Sequence, residues 1–203
     1  MEFSEVISKL SEVKQYAKEN FVPIIREESA KFLYDFVKEN NYKNILEIGT
    51  AIGYSGSIMM SATDAYLTTV DINEKSLAVA NKNFEKMGYR DRVNIYNLDA
   101  WELINQLRDD GCKFDMVFLD GAKGQYIKYL DVLIDLLDKN GSIFADNVLL
   151  QGMVESEEKI PHRKRTMVVN LRKYLKRVNE YPFETELVRL EDGIAITKIK
   201  GDK

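Results

Sequence analysis

The chain holds one cysteine, Cys112, and one histidine, His162, among 203 residues. A single cysteine permits no internal disulfide, and a reducing compartment is its natural setting. The same scarcity excludes two kinds of chemistry. A zinc site needs several Cys or His ligands, and these two residues stand far apart in sequence. A Ser-His-Asp triad would have to be built on His162, and no supporting spacing surrounds it. No run of about eighteen apolar residues occurs, so no segment is expected to span a membrane. The N-terminus, MEFSEVISKL, carries acids where a signal peptide would carry basic residues, and the expected location is cytoplasmic. Positive charge is not in excess either. The 29 Lys and Arg are outnumbered by 33 Asp and Glu, giving a formal net charge of -4. That argues against a protein that is basic all over, though not against a local basic patch that meets nucleic acid. Repeats, low-complexity tracts and linker-like stretches are also absent. One domain is expected over 1–203, with residues 1–40 as a helical N-terminal extension.

What is present is alternation. Val6, Leu10, Val13 and Ala17 recur at helical spacing. A second amphipathic helix carries Ala30, Leu33, Phe36 and Val37, and Pro23 should break the chain between the two. Strands are then expected at Asn44–Ile48, Tyr66–Val70, Val93–Asn97, Phe114–Leu119 and Ser142–Ala145. Helices are expected between them at Tyr54–Ala62, Glu74–Met87, Ala100–Arg108 and Gln125–Asp138. Continuous apolar strands separated by amphipathic helices predict a parallel sheet covered on both faces. The tail differs. A helix over Arg165–Asn179 precedes two strands, Thr185–Leu190 and Ile194–Lys200, which flank Glu191-Asp192-Gly193 as a hairpin. The expected fold is α/β, a doubly wound and mostly parallel sheet finished by an antiparallel hairpin.

Ligands of such sheets bind beyond the carboxyl ends of the strands. Every strand end here carries an acid: Glu47 beside Gly49, then Asp71, Asp99, Asp120 and Asp146-Asn147. One such acid alone reads as a helix cap or a solvated turn; five in five strand ends read as a site. The first opens Glu47-Ile48-Gly49-Thr50-Ala51-Ile52-Gly53-Tyr54-Ser55, where glycines allow close backbone approach and a helix start offers free N–H groups. Asp71 follows about twenty residues on, where a carboxylate binds ribose hydroxyls. The spacing is G-x-x-x-G rather than the dinucleotide G-x-G-x-x-G, which disfavours a nicotinamide dehydrogenase. A carboxylate before the loop would repel a pyrophosphate. It suits a cationic, phosphate-free nucleoside such as S-adenosylmethionine.

Asp120, Asp146 and Asn147 form a second group, two carboxylates and an amide carbonyl. An all-oxygen set suits Mg²⁺ or Mn²⁺; the bland alternative is a pair of capping acids. Lys123, three residues after Asp120, could accept a proton beside a dication. The third feature is the basic run His162-Arg163-Lys164-Arg165. Arg172 and Lys176 continue it on one side of the helix, opposite an apolar stripe of Val168, Leu171, Leu175 and Val178. It is either a solvated helix face or a phosphate-contacting patch.

At these residues the chain resembles the cation-dependent O-methyltransferase family, which includes catechol and caffeoyl-CoA O-methyltransferases. The segments that carry the resemblance are LEIGTAIGYS, Asp71, FLDGAKGQY and ADNVL. YAKENFVPI, DNVLLQGMV, HRKRT and DGIAITK extend it toward the bacterial tRNA 5-hydroxyuridine methyltransferase subgroup. The resemblance implies a Rossmann-like class I methyltransferase fold and a homodimer. It implies an S-adenosylmethionine site lined by Ile25, Glu47, Gly49, Ser55, Asp71, Asp99, Ala100 and Asp120. Asp120, Asp146 and Asn147 would hold the metal, and Lys123 would be the general base. The implied substrate is tRNA, its anticodon stem held by Arg163, Lys164 and Arg165; a small catechol-type substrate is the alternative. Two departures stand out: a short N-terminal arm, which implies no extended lid, and Gly121 where Ala is expected.

Overall fold

The amphipathic N-terminal stretch forms two helices, not one. α1 (Phe3–Lys9) and α2 (Ser11–Glu19) meet at Leu10, whose ψ of 6° interrupts the helical path. Val6, Leu10, Val13 and Ala17 are all buried, so the expected face survives the break. The extended chain through Pro23 leads to α3 (Glu27–Asn40), which buries Ala30, Leu33, Tyr34 and Val37 and stops at a left-handed Asn41. The computed structural model describes residues 1–200. They fall into two compact units, one over Met1–Leu103 and the other from Ile104 onward.

In the first unit, β1 (Asn44–Ile48), β2 (Tyr66–Val70) and β3 (Val93–Tyr96) are parallel neighbours, with Glu47 opposite Thr69 and Thr69 opposite Ile95. α4 (Tyr54–Ala62) follows β1 and is buried through Ser61. α5 (Glu74–Lys86) follows β2 and starts on Asn73, whose side chain accepts from the Ser76 N–H, the orphan donor that an Asn cap satisfies. α6 (Ala100–Asp109) comes after β3.

In the second unit, β4 (Phe114–Leu119) and β5 (Leu137–Ala145) are parallel, joined by a short 3₁₀ turn at Lys123–Gln125 and α7 (Tyr126–Leu136). β5 starts five residues before the expected Ser142. The register shifts between Phe114 and Met116, so the Asn140-Gly141 turn is absorbed as an irregularity within the strand. α8 (Arg165–Val178) leads to β6 (Phe183–Val188) and β7 (Ile194–Ile199), an antiparallel hairpin whose β7 pairs with β5. The buried stripe of α8 runs Val168, Leu171, Tyr174 and Val178; Tyr174 takes the place assigned to Leu175, which is only half-buried.

Within the first unit the strands run in the order β3-β2-β1, and within the second in the order β4-β5-β7-β6. This is the α/β architecture the alternation predicts, parallel in its first strands and closed by the C-terminal hairpin. β1 and β4 are buried almost end to end, as strands covered on both faces are.

Candidate active site

In the first unit the glycine loop is built on hydrogen bonds from β2. The Gly49 and Thr50 N–H groups both donate to Val70 O, at 3.0 and 3.2 Å. Gly49 has φ +105° and Gly53, the N-cap of α4, has φ +77°. An added Cβ at Gly53 would lie 3.0 Å from the Phe84 ring, so the helix start also packs against α5 at a distance only glycine allows.

Beneath this loop lies Glu47, with no exposed surface. Its Oε1 accepts from Ser55 Oγ, and its Oε2 accepts from Thr69 Oγ1 at 2.6 Å. Thr69 shares a further 2.6 Å hydrogen bond with Thr50. A buried carboxylate is tolerable only when satisfied in this way. Glu47 thereby ties β1 to β2 and to the start of α4. Asp71 works similarly at the end of β2. One carboxylate oxygen accepts from Ala51 N–H and the other from Asn73 N–H, both at 2.9 Å. It joins the glycine loop to the start of α5. Asp99 is exposed and accepts from Trp101 N–H at 2.8 Å, a helix-capping contact, with Ala100 as the first residue of α6. Ile25 is buried in the extended segment before α3.

The sequence reading missed three supports of this loop: Thr50, Thr69 and Asn83. Asn83 Nδ2 donates to Ile52 O at 2.8 Å from a buried position on α5. Only the polar character of Thr69 and Asn83 on otherwise apolar faces could have signalled them.

In the second unit the register explains the acidic group. Leu119 and Ala145 are paired across β4 and β5, so Asp120 and Asp146 leave the sheet side by side. Asp146 N–H donates to Leu119 O at 2.9 Å. Tyr126 Oη donates to the same carbonyl at 2.9 Å, from full burial at the start of α7. Lys123 Nζ lies 2.7 Å from Asp120 Oδ1 with both side chains mostly covered. The backbone N–H of Asn147 donates to Asp146 Oδ1 at 2.9 Å, and Asn147 has φ +56°. Asp146 is 1% exposed. Burial, and then the neighbouring Asp120 carboxylate, raise its carboxyl to about 7, against the opposing pull of Lys123 and the Asn147 N–H.

This is where a dication would be expected to help. Two converging carboxyl groups face only one ammonium, and a third oxygen donor, Asn147, follows directly in sequence. The set is hard and all-oxygen, which fits Mg²⁺ or Mn²⁺ rather than zinc. Among the described residues there is no group of three or more His, Cys, Asp or Glu side chains placed to hold a metal ion. Coordination here would therefore depend on the Asn147 amide and on oxygens from water or substrate.

The basic run forms a 3₁₀ turn at His162–Lys164 that leads into α8. Arg163 and Arg165 are exposed, whereas Lys164 is half-buried and donates to Gln151 Oε1 at 3.2 Å. Arg172 lies farther along α8 and is engaged with backbone carbonyls of residues 153–156.

An O-methyltransferase family model matches residues 2–200 of the chain. The caffeoyl-CoA O-methyltransferase of Petroselinum crispum is 31% identical over 96% of this chain and 83% of its own. The catechol O-methyltransferase of Niastella koreensis is 36% identical over 63% of this chain and 59% of its own. Among solved structures, an O-methyltransferase of Bacillus cereus crystallised with S-adenosylhomocysteine superposes with a TM-score of 0.85 at 25% identity, covering 95% of this chain and 91% of that one. The chain belongs to the O-methyltransferase family. Its class is that of the S-adenosylmethionine-dependent O-methyltransferases, of the caffeoyl-CoA and catechol type.

Proposed function

We propose that the chain methylates 5-hydroxyuridine at the wobble position of tRNA, using S-adenosylmethionine and a divalent cation, Mg²⁺ or Mn²⁺, and that it works as a cytoplasmic homodimer. The observation that carries the tRNA reading is the exposed pair Arg163 and Arg165 at the entry to α8, in a chain whose net charge is -4. Local cation clusters on an acidic protein suit a polyanionic substrate held by its phosphates. The base itself fits the acidic group. The 5-hydroxyl and neighbouring O4 of 5-hydroxyuridine are an adjacent oxygen pair, as in a catechol, so a catechol-type site can serve a nucleoside.

In this reading the first unit holds the methyl donor. Asp71 and the glycine loop take its nucleoside part, and Ser55, Asp99, Ala100 and Ile25 complete its surroundings. Glu47 keeps the loop in place from below. In the second unit, Asp120, Asp146 and Asn147 would hold the cation, which when bound would supply Lewis-acid polarisation of the substrate hydroxyl. Lys123, an ammonium in its ion pair with Asp120, first gives one proton to water, and the free amine Nζ then takes the hydroxyl proton. The oxygen lone pair then forms a bond to the methyl carbon as the carbon–sulfur bond breaks, leaving 5-methoxyuridine and S-adenosylhomocysteine. No redox partner is needed. Positioning of the two reactants supplies much of the rate.

A second reading has its own support, since the relatives carry caffeoyl-CoA and catechol names: a small phenol in place of tRNA. One experiment separates the two. The purified protein is given S-adenosylmethionine and Mg²⁺ with hydroxyuridine-containing tRNA, or with a simple catechol, with and without chelator. Nucleoside mass spectrometry showing chelator-sensitive 5-methoxyuridine supports the tRNA reading. Methylated catechol with untouched tRNA selects the small-molecule reading.

A further inference from the structure

Spacing groups Arg172 with the exposed cations of α8, but its guanidinium is occupied within the protein. Nε donates to Val154 O at 2.7 Å, and one terminal nitrogen donates to Ser156 O at 2.6 Å and to Met153 O at 3.3 Å. These carbonyls belong to the chain that leaves Asp146 and Asn147, and that chain is strained. Asn147, Leu150 and Gln151 have φ of +56°, +47° and +56°, left-handed values that cost any residue with a Cβ. Such a conformation persists only when its surroundings hold it.

It is held from two sides, and a bidentate pair of Arg189 with Glu155, at 2.7 and 2.8 Å, also fastens residue 155 to the hairpin. On one side the β6–β7 turn accepts from it: Val148 N–H donates to Gly193 O at 3.0 Å and Leu149 N–H to Asp192 O at 2.8 Å. On the other side stand Arg172 and Lys164, whose Nζ donates to Gln151 Oε1 at 3.2 Å. Val154 links the two, because its N–H donates to Leu149 O at 3.2 Å while its own carbonyl receives the Arg172 bond. A continuous path therefore runs from the guanidinium through Val154 to Leu149, two residues from Asn147.

We propose that Arg172 is a positioning residue for the end of β5: it straps residues 153–156 to α8 and thereby fixes Asn147, instead of meeting substrate phosphate. The proposal rests on the reading of Asp120, Asp146 and Asn147 as a cation site. A planar guanidinium can serve several carbonyls from one fixed fork, and a lysine ammonium keeps the charge without that geometry.

The test is Arg172→Lys in the full chain, with wild type and Asp146→Ala beside it and thermal melts to verify folding. Three quantities are read: amide hydrogen exchange over residues 147–156, Mn²⁺ binding by electron paramagnetic resonance, and tRNA affinity as a function of salt. The expected result is exchange about tenfold faster over 147–156 and Mn²⁺ affinity about tenfold weaker, the scale of a lost outer-shell support, with tRNA affinity and salt slope unchanged. Unchanged exchange and Mn²⁺ affinity would overturn the proposal. So would a loss of tRNA affinity alone, which would make Arg172 a phosphate contact. Failure of the underlying reading shows itself elsewhere: wild type would bind no Mn²⁺, or Asp146→Ala would bind it equally, and the positioning role would fall with the site.

Discussion

Replacing Gly193 by alanine should destabilise the protein through one identifiable contact. Gly193 sits in the β6–β7 turn with φ +76°, and an added Cβ would lie 2.4 Å from Leu149 Cγ and 2.7 Å from Leu149 Cδ1. The left-handed backbone costs an alanine about 1–2 kcal/mol. Leu149 is buried, so it cannot simply swing away, and forced overpacking costs about 1–3 kcal/mol more. The total, about 2–5 kcal/mol, is a large part of the stability of a single domain. It should lower Tm on the order of 10 °C for a chain of this length. Because the Gly193 carbonyl also receives the Val148 N–H, relief of the clash moves the segment beside Asn147, and Mn²⁺ affinity should fall as well. A double-mutant cycle isolates the cause. Leu149→Ala alone costs about 2–5 kcal/mol as a buried truncation, but it removes both atoms nearest the new Cβ. In that background Gly193→Ala should cost only the backbone term, leaving a coupling of about 1–3 kcal/mol. Urea unfolding of the four proteins measures it. Equal cost of Gly193→Ala in both backgrounds would refute the steric argument.

Further outcomes follow from the same contacts. Glu47→Ala leaves the Ser55 and Thr69 hydroxyls without their acceptor in a buried setting. It should cost about 2–4 kcal/mol in unfolding and weaken S-adenosylmethionine binding in calorimetry; wild-type stability would refute Glu47 as a tie between strands. Asp146 has a raised folded-state pKa, about 7 against the usual 3.8, so the metal-free native state binds this proton more tightly than the unfolded chain. Its contribution is present below about pH 4 and is lost as pH rises to about 7, a swing of at most about 4 kcal/mol. Asp146→Asn should flatten that part of the stability–pH curve, and an unchanged curve would show that the carboxyl is not perturbed. Asp146→Ala should abolish metal-dependent turnover, and full activity would remove the metal site. Arg163→Ala with Arg165→Ala should weaken tRNA binding and lower its salt slope by up to about 1.8 if each arginine neutralises one phosphate. Unchanged affinity in a filter-binding titration would remove these arginines from the RNA interface.

Much of the architecture was legible because parallel strands and their helices leave strong periodic signals. β1, β2 and β4 begin and end where the apolar runs do. The boundaries that slipped have physical causes. α1 and α2 share one apolar face, and a break at Leu10 does not disturb that periodicity. β5 extends back through Asn140-Gly141 because an irregularity in pairing can absorb a turn-like dipeptide. On α8, Tyr174 and Leu175 are both apolar enough for the stripe, and only packing decides that Tyr174 is the one buried.

The acids were legible for a different reason: each ends a strand, and strand ends are where this sheet type places its ligands. The residues that hold those acids were not legible, because their roles depend on pairings between distant segments. Thr69 reaches Glu47 only because β1 and β2 align residues 47 and 69. Gly193 supports Val148 only because the C-terminal hairpin returns beside β5. Arg172 follows the same rule in sharper form. Its helical spacing aligns it with phosphate-seeking cations, yet the residues it binds lie sixteen to nineteen positions earlier. A periodic pattern shows which side of a helix an arginine occupies. Whether that side meets a partner or another part of the same chain is decided by tertiary structure, and here the three carbonyls within reach decide it.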